Sequence, residues 1–220
     1  MAVLTLADAQ DLVSVALQRN RTEAGNAASV ARALVAAEAD GQKGHGLSRV
    51  PSYAAQAKAG KVDGYAHPTI SRARAGLLVV DAAHGFAYPA LDTAMAVLPS
   101  IAAANGVAAA AVHRSHHCGA AGLVVESLAD KGMVALLFAN TPAAMAPWGG
   151  SVGVFGTNPI AFACPLPEAP ALVIDLSLSK VARGNLVAAK QRGETIPEGW
   201  AVDNDGKPTT DPDAGLAGTM

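Results

Sequence analysis

The stretch Arg114-Ser-His-His-Cys-Gly-Ala-Ala-Gly122 follows the apolar run Val107-Ala-Ala-Ala-Ala-Val112. This order predicts a strand, a turn and a helix, with two histidines and a glycine at the mouth of the helix. Glycine lets a ligand approach the backbone, and the free N–H groups of a helix N-terminus attract anions. The stretch therefore favours a site for a phosphate-bearing cofactor beside an acid/base group, since imidazoles transfer protons near neutral pH. The alternative is a strand and a turn with buried histidines.

Composition limits the classes of protein that this chain can belong to. Its 220 residues are 51% hydrophobic and 15% charged, which predicts one large domain or two small ones with a sizeable core. Ordinary domains are about 25% charged, so we expect a partner subunit to cover part of the surface. The net charge is −2 and no block of Lys or Arg occurs, which argues against nucleic acid and anionic membranes as partners.

The two cysteines, Cys118 and Cys164, have no Cys-x-x-Cys spacing. This favours a reducing compartment over a disulfide scaffold or a Cys-rich zinc site. The N-terminus lacks the basic region of a signal peptide, and no apolar run reaches the roughly 18 residues of a membrane span. We therefore expect a cytoplasmic protein.

Residues 1–70 are predicted to form an N-terminal helical region. Thr5 and Thr22 are the expected N-caps of two amphipathic helices, because threonine hydroxyls accept from the first free N–H groups. A short helix follows among Gly and Pro residues. The predicted ranges are 5–19, 23–39 and 53–58.

Residues 71–220 are predicted to form an α/β cofactor-binding region, because apolar runs alternate with helical patterns. Predicted strands cover 76–81, 107–112, 133–138, 159–163 and 172–175. Predicted helices cover 88–104, 120–131 and 180–191. Residues 193–215 are expected to be rich in loops.

Several common motifs are missing or lack their context. No Gly-x-Gly-x-x-Gly follows a strand, so a Rossmann site is not expected. Gly149-Gly-Ser-Val-Gly153 fits a hydrolase nucleophile elbow, but Pro147-Trp148 precede it and turn residues follow. Asp203-Asn-Asp-Gly206 is predicted to be a tight turn. The cluster of His113, His116 and His117 lacks a second ligand group, so we expect no metal.

A second candidate site lies at His45, within Lys43-Gly-His-Gly-Leu-Ser-Arg-Val-Pro-Ser-Tyr53. Two flanking glycines would cost about 2 kcal/mol in a helix, so the backbone is predicted to form a shaped loop. Arg49 follows four residues later and could pair bidentately with a substrate carboxylate. The alternative is a loop histidine and a surface arginine.

Further segments, in order, make the chain resemble the non-Rossmann malate/L-lactate dehydrogenase family. This family includes sulfolactate and ureidoglycolate dehydrogenases and piperideine/pyrroline-2-carboxylate reductases. The matching segments are Asp40-Gly, His45-Gly, Arg49-Val-Pro-Ser-Tyr53, Ser115-His-His-Cys-Gly119, Asn140-Thr, Ala146-Pro-Trp-Gly-Gly150, Gly156-Thr-Asn-Pro159, Asp175-Leu-Ser-Leu-Ser179, Ile196-Pro-Glu-Gly-Trp200 and Pro208-Thr-Thr-Asp-Pro212.

The resemblance implies a fold and a reaction. The fold would be the α/β fold of that family, with N-terminal helices followed by a mixed sheet with helices. The reaction would be hydride transfer between NAD or NADP and a small 2-oxo or 2-hydroxy acid of the malate, lactate or sulfolactate class. Reduction of a cyclic imino acid is one alternative, and an inactive binding or dimerisation module is another. The resemblance also implies a homodimer.

The resemblance assigns roles to residues of this chain. His45 matches the family's proton donor, with His117 as the second choice for the acid/base role. Residues implied in substrate binding are Arg49, Thr157, Arg183 and Gly184. Residues implied in cofactor binding are His117, Cys118, Gly119, Ala120, Ala121, Asp175, Leu176 and Ser177.

Two departures from the family pattern stand out. Gly44 occupies the position where the family usually has a serine before the catalytic histidine, and a glycine has no hydroxyl to orient an imidazole. The family also continues beyond the position of Met220 with a glycine-rich, lysine-containing segment and a helical region. The resemblance therefore implies that the C-terminal part of the fold is missing and that residues 1–220 alone form an incomplete cofactor site.

Overall fold

The computed structural model describes residues 3–220, which fall into two compact units. The first unit ends at Met133, and the second is Val134–Met220. The functional division at residue 70 falls within the first unit and stays a prediction.

Five α-helices are described in the first unit, and their apolar faces form its core. They are α1 (Leu6–Gln18), α2 (Ala24–Ala39), α3 (Val50–Lys58), α4 (Ala87–Asn105) and α5 (Ala121–Ala129). Leu17, Leu34 and Val30 are fully buried, together with Tyr53 of α3. The predicted cap of α1 is confirmed, since the Thr5 hydroxyl accepts from the N–H of Asp8 at 3.1 Å.

The predicted cap of α2 is wrong. The N-cap of α2 is Glu23, and Thr22 instead pairs with Gly64 in an isolated parallel bridge. The N–H of Glu23 also donates to the Gly64 carbonyl at 3.0 Å. Tertiary pairing of the backbone therefore overrides the local capping preference of threonine.

A three-stranded mixed sheet completes the first unit, with β1 (Thr69–Arg74), β2 (Leu77–Asp81) and β3 (Ala109–His113). β1 pairs antiparallel with β2, and β2 pairs parallel with β3 through the α4 crossover. The strands predicted at 76–81 and 107–112 are confirmed within one to two residues. β1 was not predicted, because all six of its residues are exposed and it lacks apolar alternation.

The loops after β2 and β3 lie side by side, because parallel strands end at the same edge of a sheet. Asp81 ends β2, and its carboxylate forms a bidentate ion pair with Arg114, whose Nε lies 2.8 Å from Oδ1. Backbone bonds join the same loops: His84 N–H donates to the Arg114 carbonyl at 2.7 Å, and His116 N–H donates to the Gly85 carbonyl at 3.0 Å. These contacts fix the start of the segment that carries the two histidines.

The second unit is built on an antiparallel sheet in the order β4 (Ala135–Phe138), β5 (Ile160–Leu166) and β6 (Ala169–Leu176). These strands confirm the predictions at 133–138, 159–163 and 172–175. The helix predicted at 180–191 is α6 (Arg183–Arg192).

The last thirty residues hold more regular structure than expected. The elements β7 (Ala201–Val202), β8 (Pro208–Thr209) and α7 (Pro212–Ala217) lie in the region predicted to be rich in loops. They were missed because they are short, and a packed cluster that includes Leu186 and Ile196 supports them. The tight turn at Asp203 is confirmed, since the N–H of Gly206 donates to the Asp203 carbonyl at 3.0 Å.

Ser151 does not lie in a nucleophile elbow. It follows a turn at Gly149, and neither a strand before it nor a helix after it is formed. Among the described helices, none is both long enough and apolar enough to cross a membrane. The cytoplasmic location stays a prediction.

The ion pair at the ends of β2 and β3 makes a pH-dependent contribution to stability. Arg114 lowers the pKa of Asp81 from its ordinary value of 3.8 to about 2. A carboxyl whose pKa is lower in the folded state stabilises the fold above its unfolded pKa, and this contribution disappears as the pH falls through the folded pKa.

We therefore expect Asp81→Asn to lower Tm at pH 7, with the difference from the wild type shrinking between about pH 4 and pH 2. Thermal unfolding followed by circular dichroism across this range measures the effect. Asp11→Asn is the matched control, because Asp11 is an exposed carboxylate of α1. A Tm difference for Asp81→Asn that is constant with pH would contradict the ion-pair account.

Candidate active site

The loop that carries His45 is held in shape by Glu38 at the end of α2. A carboxylate oxygen of Glu38 accepts from the N–H of Leu47 at 2.9 Å. A Cβ at Gly46 would lie 2.3 Å from the same oxygen, so only glycine fits there without displacement. A short 3-10 turn, Leu47–Arg49, then leads into α3. Gly46 thus lets the loop pack closely against Glu38, which agrees with the predicted shaped loop.

The structure stacks the two predicted acid/base residues on each other. The ring centroids of His45 and His117 lie 5.4 Å apart, with 11° between the ring planes. His45 comes from the loop after α2 and His117 from the loop after β3, so residues 72 positions apart in sequence meet at one place. The first two candidate sites of the sequence are therefore one site.

His117 is anchored through one ring nitrogen. Its Nδ1 lies 2.6 Å from the Tyr53 hydroxyl and accepts from the N–H of Gly119 at 3.3 Å. A backbone N–H can only donate, so Nδ1 presents its lone pair and the neutral ring carries its proton on Nε2. The tautomer follows from the partner at Nδ1, as is usual for histidines in sites.

Two buried tyrosines support this histidine, Tyr53 by direct contact and Tyr88 through Tyr53. The hydroxyls of Tyr53 and Tyr88 lie 3.4 Å apart. Burial raises the pKa of Tyr53 to about 12 and the pKa of Tyr88 well above its ordinary value. Both hydroxyls therefore stay protonated at physiological pH. Gly119 makes room for them, since a Cβ at this position would lie 2.2 Å from the Tyr88 hydroxyl oxygen.

Electrostatics keep the histidines after β3 neutral. Burial, together with the charge of Arg49 and the neighbouring His45, lowers the pKa of His117 to about 3. Burial and the charge of Lys61 lower the pKa of His116 to about 4. His116 itself points to Gln56, with Nε2 lying 3.0 Å from Oε1. At neutral pH, Arg49 is thus a fixed positive charge beside neutral imidazoles.

The loop that carries His45 also orients the side chain of Arg49. Its Nε donates to the carbonyl oxygen of Gly44 at 2.5 Å, and among residues 3–220 no hydrogen bond engages its two terminal nitrogens. Those nitrogens form the flat pair that recognises a carboxylate. A Cβ at Gly44 would meet no atom within 4 Å, so the position has room for the missing serine.

The start of α5 fits an anionic group. The N-cap of this nine-residue helix is Ala120, whose side chain cannot accept a hydrogen bond from the first turn. Small residues surround the helix start, since Gly119, Ala120 and Ala121 follow the half-buried Cys118. These are the predicted cofactor-contacting residues of the first unit, and a helix N-terminus of this kind suits a phosphate.

The remaining predicted site residues lie in the second unit, where hydroxyl groups cluster. Thr157 Oγ1 lies 3.2 Å from Thr141 Oγ1, and the carbonyl oxygen of Thr157 accepts from the Ser177 hydroxyl at 3.3 Å. Asp175 and Leu176 end β6 just before Ser177. Arg183 and Gly184 begin α6, and an Nη of Arg183 donates to the Leu216 carbonyl at 3.1 Å.

Sequence reasoning gave no role to Tyr53, Tyr88 or Gln56. Tyr53 lies four residues after Arg49, the N-cap of α3, so the two residues are about one helical turn apart. That spacing is the signal that could have placed Tyr53 at the site. Tyr88 had no such signal, because its partners come from α3 and from the loop after β3.

Comparisons with known proteins match nearly the whole chain to one family. A family model described as malate/L-lactate dehydrogenase matches residues 4–220. The chain is 50% identical over 218 residues to a (2R)-3-sulfolactate dehydrogenase (NADP(+)) from Chromohalobacter salexigens, covering 99% of this chain and 65% of that protein. It is 41% identical over 209 residues to a Delta(1)-pyrroline-2-carboxylate/Delta(1)-piperideine-2-carboxylate reductase from Pseudomonas putida, covering 95% of this chain and 61% of that protein.

A solved structure gives the same result for the fold. The crystal structure of delta1-piperideine-2-carboxylate reductase from Pseudomonas syringae superposes with a TM-score of 0.96 at 36% identity, covering 100% of this chain and 67% of that one. The predicted fold class is therefore confirmed. The chain spans just under two thirds of the length of the curated relatives it matches.

The packing of Gly119 against Tyr88 can be tested by substitution. Gly119→Ala introduces left-handed backbone strain of about 1–2 kcal/mol, since its φ is +72°, and overpacking against the tyrosine adds about 1–3 kcal/mol. Gly132→Ala is the matched control, with φ +79° and no atom within 4 Å of the added Cβ. Urea denaturation should show a larger loss of unfolding free energy for Gly119→Ala. Equal losses would mean that the collision with Tyr88 is relieved without cost.

Proposed function

The chain belongs to the malate/L-lactate dehydrogenase family, and on this premise we propose that it carries the substrate site of an NADP-dependent oxidoreductase. The substrate is a small 2-hydroxy acid and its product the 2-oxo acid, with 3-sulfolactate as the first candidate. The stack of His45 on His117 beside Arg49 carries this proposal, because it combines a carboxylate ligand with a proton-transfer group. The relative that is 50% identical and is named for NADP(+) supports both the substrate class and the cofactor.

Arg49 holds the substrate carboxylate in this mechanism. Its terminal nitrogens form two parallel hydrogen bonds to the carboxylate oxygens, which fix the orientation of the neighbouring C2 atom. The bond from Nε to the Gly44 carbonyl sets the plane of the guanidinium group before substrate arrives. Thr157, Arg183 and Gly184 are the proposed substrate contacts of the second unit.

His45 moves the proton. In the oxidation, it accepts the proton of the C2 hydroxyl while hydride leaves C2, and in the reduction it returns a proton to the oxygen. The nicotinamide cofactor, when bound, supplies or accepts the hydride. His117 stays neutral, because its pKa of about 3 lies far below physiological pH, and it can donate a hydrogen bond from Nε2.

Two segments of the chain are proposed as cofactor contacts. In the first unit, the contacts are His117 to Ala121 at the start of α5, where backbone N–H groups favour an anion. In the second unit, the contacts are Asp175, Leu176 and Ser177 at the end of β6. NADP is preferred to NAD on the name of the same relative.

Reduction of a cyclic imino acid is the second candidate function. The reductases from Pseudomonas putida and Pseudomonas syringae support it, the latter through its TM-score of 0.96. The site residues would serve either reaction, since both substrates carry a carboxylate beside the carbon that receives hydride. We also propose a homodimer, which sedimentation velocity tests.

We expect the protein, expressed at the full length of its reading frame, to oxidise NADPH with the 2-oxo acid of sulfolactate faster than with pyrroline- or piperideine-2-carboxylate. NADPH absorbance gives the rates. His45→Ala should lower kcat by about 10²–10⁴, the usual contribution of a general acid. His67→Ala is the control, because its side chain is 76% exposed. An unchanged kcat for His45→Ala would refute the role of His45, and faster turnover of the cyclic imines would favour the second candidate.

Gly44→Ser is expected to raise kcat, with the KM for the cofactor little changed. A serine hydroxyl at this position can orient the imidazole of His45, as neighbouring hydrogen-bonding groups do in other sites. The position is open, whereas Gly46→Ser would collide with Glu38 and should lose stability instead. Steady-state kinetics and Tm of both variants measure this contrast. Equal kcat for wild type and Gly44→Ser would mean that the imidazole is already oriented without the hydroxyl.

A further inference from the structure

We propose that Tyr53 is a positioning residue for His117. Its hydroxyl donates to Nδ1, the Tyr88 hydroxyl donates to Tyr53, and together they fix the imidazole as the neutral Nε2–H tautomer. His117 then acts as a hydrogen-bond donor to the reacting oxygen or nitrogen of the substrate. This inference rests on the proposed function, because the group that receives the hydrogen bond is the oxo or imine group reduced there.

The direction of the hydrogen bonds follows from Gly119. Its N–H lies 3.3 Å from Nδ1 of His117 and can only donate, so Nδ1 has to accept. The Tyr53 hydroxyl, 2.6 Å from the same nitrogen, must then donate its single proton to Nδ1, and the longer bond from Gly119 shares the one lone pair of that nitrogen. Tyr53 has no second proton to give, and its oxygen is left to accept from Tyr88 at 3.4 Å.

Burial raises the pKa of both phenol groups, so both hydroxyls keep the protons that this direction requires. Both phenol groups are buried, with only 1% of Tyr53 and 6% of Tyr88 exposed. Because both hydroxyls are buried, the hydrogen bonds that they make are stronger than bonds exposed to solvent and support the imidazole more rigidly.

The arrangement also resists protonation of His117. An added proton on Nδ1 would face the N–H of Gly119 and the hydroxyl proton of Tyr53, which cannot accept it without rearrangement. The positive charge of Arg49 acts in the same sense. A neutral imidazole can polarise a carbonyl group by donating a hydrogen bond, and it leaves net proton transfer to another group. The two stacked histidines thus have separate tasks.

The wild-type protein provides a test that needs no turnover. Selective ¹⁵N labelling of histidine gives six imidazoles, and His117→Gln assigns the signal of interest. We expect a pyridine-like Nδ1 and a pyrrole-like Nε2 for His117 from pH 5 to pH 8. A pyrrole-like Nδ1 would overturn the proposal, because Tyr53 would then be an acceptor.

Tyrosine-to-phenylalanine variants test the positioning role, since they keep the ring and remove the hydroxyl. In Tyr53→Phe, the Nδ1 signal should move towards that of a nitrogen without a hydrogen bond. Its kcat should fall about tenfold or more, as when groups that orient an imidazole are removed elsewhere, with cofactor KM unchanged. Tyr88→Phe should shift the Nδ1 signal and lower kcat in the same direction as Tyr53→Phe, but by less.

Tyr65→Phe is the matched control, because Tyr65 is 55% exposed and is the remaining tyrosine of the chain. A displaced Nδ1 signal with unchanged kcat in Tyr53→Phe would reduce the hydrogen bond to a structural contact and overturn the proposal. If the wild type turns over none of the substrates, the proposed function fails, whereas the ¹⁵N signals of His117 still decide whether Tyr53 donates. If Tyr53→Phe does not fold, Tyr88→Phe provides both readouts.

Discussion

The pairing of two parallel strand ends is the constraint on which the candidate site depends. β2 and β3 run side by side, so the loops that follow them leave the sheet at the same edge. Asp81 and Arg114 join these loops by charge, and two backbone hydrogen bonds join them again. His116 and His117 come immediately after this junction. Their positions are therefore set by the sheet and not by the flexibility of a surface loop.

The histidine-rich segment then meets two elements from earlier in the chain. α3 supplies Tyr53 from one side, and the loop shaped by Glu38 supplies His45 and Arg49. Burial lowers the pKa of His117, so its imidazole is neutral at physiological pH. The site therefore combines the guanidinium cation of Arg49 with a neutral hydrogen-bond donor. Such a combination suits a substrate with a carboxylate next to a polar double bond.

Much of this architecture was predictable from the sequence. Apolar periodicity located β2, β3 and the main helices, and glycines such as Gly106, with φ +78°, marked the helix ends. The sequence motifs also predicted site roles for His45, Arg49 and His117, and the structure brings these three residues together. The cap at Thr22 and the exposed strand β1 were not predictable, because tertiary pairing determines both. Tyr88 was missed for a related reason, since its role depends on a contact with Gly119 that has no local signature.

The central claim is that Arg49 and His45 face the two ends of one small 2-hydroxy acid. A crystal structure of the protein with NADP⁺ and 3-sulfolactate tests it most directly. The account predicts the substrate carboxylate within about 3 Å of both terminal nitrogens of Arg49 and the C2 oxygen within hydrogen-bond distance of His45. A carboxylate bound away from Arg49, or a C2 oxygen out of reach of His45, would contradict it.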